Sequence, residues 1–197
     1  MRKTLSLFGL AAGLFLIAGC NTQNRSALEI EMYNNSDDSL GTATLTEGPD
    51  GVNIKLSLTG LTPGLHGIHV HEFPKCESPD FKSAGGHLNP DGKEHGLMDP
   101  DGAHLGDMPN IEADEDGTVK TEVSVKGATL KDGKKSLLRN DGTSLIIHEG
   151  VDDGLTQPAG DAGERVACGK IQVAEAQKQD TPSAPSQDGD EKKKEES

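Results

Sequence analysis

Gly51-Val52-Asn53-Ile54-Lys55-Leu56-Ser57-Leu58 decides the fold class: Val52, Ile54, Leu56 and Leu58 are apolar and the residues between them are polar. Side chains alternate faces along a strand, so this run lays one apolar face on a core and turns Asn53, Lys55 and Ser57 to water. The same period appears upstream at Leu28, Ile30 and Met32, and downstream at Val119, Val123 and Val125 with Thr121 in register. Turn chemistry separates the runs at Gly48-Pro49-Asp50-Gly51, Thr62-Pro63-Gly64, Asp116-Gly117 and Asp141-Gly142. Short alternating strands between such turns describe an antiparallel all-β domain with one buried face per strand. No segment carries the period of a long helix, and 197 residues suit one compact domain plus ends.

Two stretches interrupt this rhythm. Residues 73–110 are rich in Gly, Pro, Asp and His and form a loop far longer than a strand connection needs, the kind that is usually functional. A second irregular stretch, 149–164, precedes a last strand expected over 165–173. Histidines gather in and beside both. His87, His95, His104 and Asp107 follow at intervals of 8, 9 and 3 residues, His69 and His71 flank Val70, and His148 closes the apolar run Leu145-Ile146-Ile147. Imidazole is the commonest ligand for zinc and copper, and a carboxylate completes many zinc sites, so two metals are expected. On a strand, His69 and His71 share a face while Val70 turns to the other. His148 could meet them from a neighbouring strand, with the loop folding His87 across the gap.

The ends read differently. Arg2 and Lys3 precede the apolar run Leu5–Ala18, which is too short to span a bilayer comfortably and reads as a secretory signal. It ends in Leu16-Ile17-Ala18-Gly19-Cys20, which resembles the lipobox of bacterial lipoproteins, where cleavage leaves the cysteine as the lipidated first residue; a plain signal peptide with an incidental cysteine is the alternative. The expected organisation is a signal peptide over 1–19, a lipidated Cys20 and polar tether over 20–26, the folded domain over 27–173, and a disordered charged tail over 174–197. The protein is therefore expected outside the cytoplasm, lipid-anchored to the bacterial cell membrane. Giving Cys20 to the lipid leaves Cys76 and Cys168 as a pair, which an oxidising compartment would join. Such a loop closure contributes roughly 4 kcal/mol on the chain-entropy model. With a formal net charge of −14, no nucleic-acid partner is expected.

Six blocks carry a family resemblance. His66-Gly67-Ile68-His69-Val70-His71-Glu72-Phe73, Ser83-Ala84-Gly85-Gly86-His87-Leu88-Asn89-Pro90, Lys93-Glu94-His95-Gly96, His104-Leu105-Gly106-Asp107, Leu145-Ile146-Ile147-His148-Glu149 and Ala162-Gly163-Glu164-Arg165-Val166-Ala167-Cys168-Gly169 closely resemble the Cu,Zn superoxide dismutases, over roughly residues 28–173. The resemblance implies an eight-stranded antiparallel Greek-key β-barrel or sandwich with long metal-binding and electrostatic-type loops. It makes His69, His71, His87 and His148 the copper ligands and His87, His95, His104 and Asp107 the zinc ligands, with His87 bridging both metals. Zinc, with four protein ligands, would be structural; copper, held by imidazoles alone, keeps room for a small substrate.

Further roles follow from the same resemblance. Asp152 matches the aspartate that links a copper histidine, His69, to a zinc histidine, His95; without the match it reads as part of a solvated acidic turn. Arg165 matches the arginine that offers superoxide a fixed cation, the alternative being a surface arginine paired with Glu164 or Asp161. His66 matches a structural position. The implied reaction is dismutation of superoxide to oxygen and hydrogen peroxide, with His87 and Arg165 as the catalytic side chains and a homodimer left open. The chain departs from the eukaryotic members in lacking a substrate-guiding lysine within Leu155-Thr156-Gln157-Pro158-Ala159-Gly160. The insertion Glu77-Ser78-Pro79-Asp80-Phe81-Lys82 is of bacterial type. The second reading is a non-catalytic zinc- and copper-binding scaffold, or copper-handling lipoprotein, on the same fold.

Overall fold

The computed structural model describes residues 27–173; the expected signal peptide, Cys20, tether and tail lie outside them. Nine strands run in chain order: β1 (Leu28–Asn34), β2 (Ser39–Glu47), β3 (Gly51–Leu58), β4 (Gly64–His66), β5 (Ile68–His71), β6 (Ile111–Ala113), β7 (Val119–Lys126), β8 (Thr143–His148) and β9 (Arg165–Ile171). Seven form one antiparallel sheet in the order β5-β8-β9-β1-β2-β3-β7, and β4 pairs with β6 in a second. The run from Gly64 to His71 changes partners at Gly67, so β4 and β5 are halves of one strand shared between the sheets. Counted that way the barrel has its eight strands. A turn at Asp114–Thr118, with Asp114 N–H donating to Thr118 O at 2.9 Å, joins β6 to β7 and curls the sheets around one core.

The core is built from the alternating positions. Ile30 and Met32 of β1, Val52, Ile54, Leu56 and Leu58 of β3, and Val119 and Val125 of β7 are buried, while Glu31, Lys55, Ser57 and Lys120 face water. β2 breaks the period. Met32 pairs with Gly41 and Tyr33 with Ser39, leaving Leu40 as the extra residue of a bulge, so Leu40, Ala43 and Leu45 are all buried.

β5 and β8 are buried on both faces. Ile68, Val70, Leu145 and Ile147 belong to the main core, whereas Ile146 belongs to a second cluster with Phe81, Ala84 and Cys168. That cluster lies under the 72–110 connection, and the disulfide Cys76–Cys168, spanning 92 residues, staples the connection to β9. Among the described residues, no helix is long and apolar enough to cross a membrane.

Candidate metal centre

The wall made by β5 and β8 carries three histidines on its outer face. His69 and His71 point away from the core because Ile68 and Val70 point into it. His148, at the end of β8, holds its backbone N–H on Gly67 O at 2.8 Å, which puts its ring 4.9 Å from that of His69 and 5.9 Å from that of His71. The long loop returns across this face and pairs with it at two isolated bridges, His71 with His87 and His69 with Asp107. All seven residues singled out by spacing meet here. His69, His71, His87 and His148 form one group of candidate ligands and His87, His95, His104 and Asp107 another, with the ligating atoms of each group within 4.8 Å of one another.

Hydrogen bonds at one ring nitrogen set which nitrogen is left for a cation. His69 Nε2 donates to Asp152 Oδ2 at 2.7 Å, His71 Nδ1 to Gly85 O at 3.0 Å, and His148 Nδ1 to Gly163 O at 3.1 Å. The opposite atoms, His69 Nδ1, His71 Nε2 and His148 Nε2, are buried without a hydrogen-bond partner, and so is His87 Nε2. Buried polar atoms are nearly always paired, so four lone pairs gathered at one place form a cradle that suits a cation favouring imidazole. His87 turns its other nitrogen, Nδ1, to Asp107 Oδ1 at 2.8 Å. One ring thus faces both groups.

In the second group His95 Nε2 donates to Asp152 Oδ1 at 3.1 Å, leaving Nδ1 without a hydrogen bond, 3.1 Å from Asp107 Oδ2. His104 Nδ1 lies 3.3 Å from Asp107 Oδ1. Asp107 Oδ2 accepts from the backbone N–H groups of Gly96 and His104 at 2.9 and 3.0 Å, and these bonds orient the carboxylate. Three imidazole nitrogens and a carboxylate oxygen are the donor set of a closed tetrahedral zinc site. Asp152 joins the groups, one oxygen on His69 and the other on His95.

The electrostatics fit the same use. Burial, reinforced by the neighbouring rings, pushes His148 down to about 3. Burial also takes His87 down to about 4, against the opposing pull of Asp107. His71 is lowered well below the usual imidazole range, again mainly by burial. These rings are neutral at pH 7, the form that binds metal. Burial works to raise the two aspartates, but the hydrogen bonds they accept outweigh it: Asp107 is held well below the usual carboxylate range and Asp152 at about 2.

Arg165 opens β9 and is half-buried. Its guanidinium donates to Phe81 O at 2.8 Å and Gly85 O at 2.7 Å. The Gly85 carbonyl therefore receives both His71 and Arg165, fixing the cation beside the imidazole group. Arg165 makes no ion pair with Glu164 or Asp161 among the described residues. His66 stands apart from both groups: its buried ring has Nδ1 2.7 Å from His148 O and Nε2 2.7 Å from Thr62 O.

Four supporting residues were assigned no role from the sequence. Asn110 brackets the Asp152 backbone, Oδ1 accepting from its N–H at 2.9 Å and Nδ2 donating to its C=O at 2.8 Å. Gln157 does the same for His95. Gly160, at φ +68°, and Gly96, at φ +112°, leave room for close approaches: a Cβ at Gly160 would overlap the Asp152 carboxylate, and one at Gly96 would overlap Gly154 O. Nothing in composition or period marks a lone Asn or Gln that bonds a distant backbone.

Comparison with known proteins agrees with this geometry. The family described as copper/zinc superoxide dismutase (SODC) matches residues 39–171. Cu-Zn superoxide dismutase 2 of Aquifex aeolicus is 47% identical over 164 residues, covering 82% of this chain and 95% of that protein. A Cu-Zn superoxide dismutase of Caulobacter vibrioides is 50% identical over 137 residues, covering 66% and 77% respectively. Among solved structures, a SOD-like protein from Bacillus subtilis superposes with a TM-score of 0.72 at 37% identity, covering 74% of this chain and 99% of that one. The Cu/Zn superoxide dismutase from Brucella abortus gives 0.62 at 32% identity, covering 75% and 100%.

Proposed function

The chain belongs to the copper/zinc superoxide dismutase family and is an enzyme of that class, using copper and zinc to dismute superoxide; we propose that His69, His71, His87 and His148 hold the copper and His87, His95, His104 and Asp107 the zinc, with His87 between them. The observation that carries this assignment is the convergence of four buried, unpartnered imidazole nitrogens on one point while His87 presents its other nitrogen to a His95, His104 and Asp107 set. When bound, copper supplies the one-electron couple that superoxide requires in both directions, and zinc supplies fixed charge and geometry.

The side chains do the rest. Arg165, held by two carbonyls, presents a fixed cation to an anionic substrate; the planar fork lets it keep both carbonyl bonds while charged. His87 Nε2 is the atom we assign to carry one of the two protons that hydrogen peroxide needs, because Nδ1 is engaged on the Asp107 side. Asp152 orients His69 and His95 together, so the two metal groups keep a common geometry. The disulfide supports a place in an oxidising compartment outside the cytoplasm. Attachment there through Cys20 is proposed from the leader sequence alone.

Replacement His148→Ala separates the enzyme from the scaffold reading. The variant should keep the β-sheet circular dichroism signal and its zinc while losing superoxide consumption. Full activity in a folded His148→Ala protein would remove the copper assignment.

A further inference from the structure

The candidate ligands differ in what holds their backbones. His69, His71 and His148 sit in β5 and β8, and His87 and Asp107 are anchored by bridges to His71 and His69. His104 gives its N–H to Asp107. His95 lies in the irregular part of the long loop, with no strand on either side. Its ring is nevertheless fully buried, wedged between Asp107 and Asp152. Its backbone partner is a side chain from the other loop: Gln157 Oε1 accepts from His95 N–H at 2.8 Å, and Gln157 Nε2 donates to His95 C=O at 2.9 Å.

We propose that Gln157 is a positioning residue for the zinc cage, a two-point clamp that substitutes for a missing β-ladder at His95 and so slows zinc release. The inference rests on His95 being a zinc ligand as argued above. A primary amide is the side-chain group whose acceptor and donor lie side by side in the spacing that a peptide unit offers to a neighbouring strand. Glu in the same place would meet the N–H but set a carboxylate oxygen against the His95 carbonyl; Lys would meet the carbonyl alone. The clamp also crosses from the 149–164 loop to the 72–110 loop, close to where Met98 N–H donates to Gly154 O at 3.2 Å. The Asp152 end and the His95 end of one hydrogen bond are thereby kept in register from two separate loops.

The test uses full-length protein with cobalt(II) in the zinc cage and copper in the other group. It compares the parent with Gln157→Glu, Gln157→Ala and, as a reference, His95→Ala. The readouts are the cobalt visible absorption, which reports ligand geometry, and the rate at which a chelator strips the ion. Both Gln157 variants should release cobalt about tenfold faster, the equivalent of one or two net hydrogen bonds, and show displaced absorption bands. The thermal midpoint of the metal-free protein should stay close to that of the parent. If His95→Ala alters the spectrum while both Gln157 variants match the parent in spectrum and release, the clamp is wrong. An unaltered His95→Ala spectrum removes His95 from the cage and overturns the inference with it.

Discussion

Asp152 shows most plainly how one side chain can link the two proposed metal groups. It gives one oxygen to His69 and one to His95, and takes a backbone N–H from Gly154 at 2.7 Å on the oxygen that faces His95. Asp152→Asn keeps the shape but loses the charge and one acceptor. Metal retention after dialysis against a chelator should fall by about 10–100-fold in affinity for that variant. Unchanged copper and zinc content would show that the linking bonds do not matter. Arg165→Ala should lower superoxide kcat/KM by about tenfold, and Arg165→Lys should recover only part because one ammonium cannot span Phe81 O and Gly85 O as the guanidinium does; stopped-flow superoxide decay measures both. The residues proposed as ligands were legible because imidazoles at these spacings are rare by chance. Asn110 and Gln157 were not, since their partners are backbone atoms 42 and 62 residues away and any polar residue in a loop looks alike.

At the scale of elements, the period-two runs of β1, β3 and β7 were readable directly, because one face meets the core and the other water. β2 was harder to read, since the bulge at Leu40 puts buried residues out of phase. The short strands β4 and β6, three residues each, offer too few positions for a pattern. β5 and β8 lack alternation because the long loop covers the outer face that a simple barrel would expose. That loop is held by the Cys76–Cys168 disulfide and by Phe81 and Ala84 packed on Ile146. Replacing Cys76 by Ser should lower unfolding stability by about 4 kcal/mol on the chain-entropy model. It should also weaken substrate capture, since Arg165 hangs on carbonyls of the same loop. Denaturant unfolding and kcat/KM on the Cys76→Ser protein check the two effects; a variant as stable as the parent would contradict the first.

For the whole molecule, the price of assembling buried ligands shows in the metal-free state. His148 and His87, depressed to about 3 and 4, stay neutral in the fold while an unfolded chain protonates them near 6.5. The unfolded state therefore binds more protons between those limits, and stability falls as pH falls through that window. The thermal midpoint of metal-free protein should drop from pH 7 to pH 5, before the carboxylates titrate, and metal should suppress the drop; a flat profile over that range would contradict the neutral-histidine account. The chain's net charge of −14 opposes an anionic substrate at long range. Screening beyond about 8 Å at physiological salt leaves local cations to decide capture. The most direct test of the whole account is metal analysis and superoxide consumption on one sample reconstituted with copper and zinc. The account predicts about one copper and one zinc per chain, the number that two cages sharing one imidazole can hold, with rapid consumption that vanishes when copper is left out. Zinc alone, or bound copper without consumption, would contradict it.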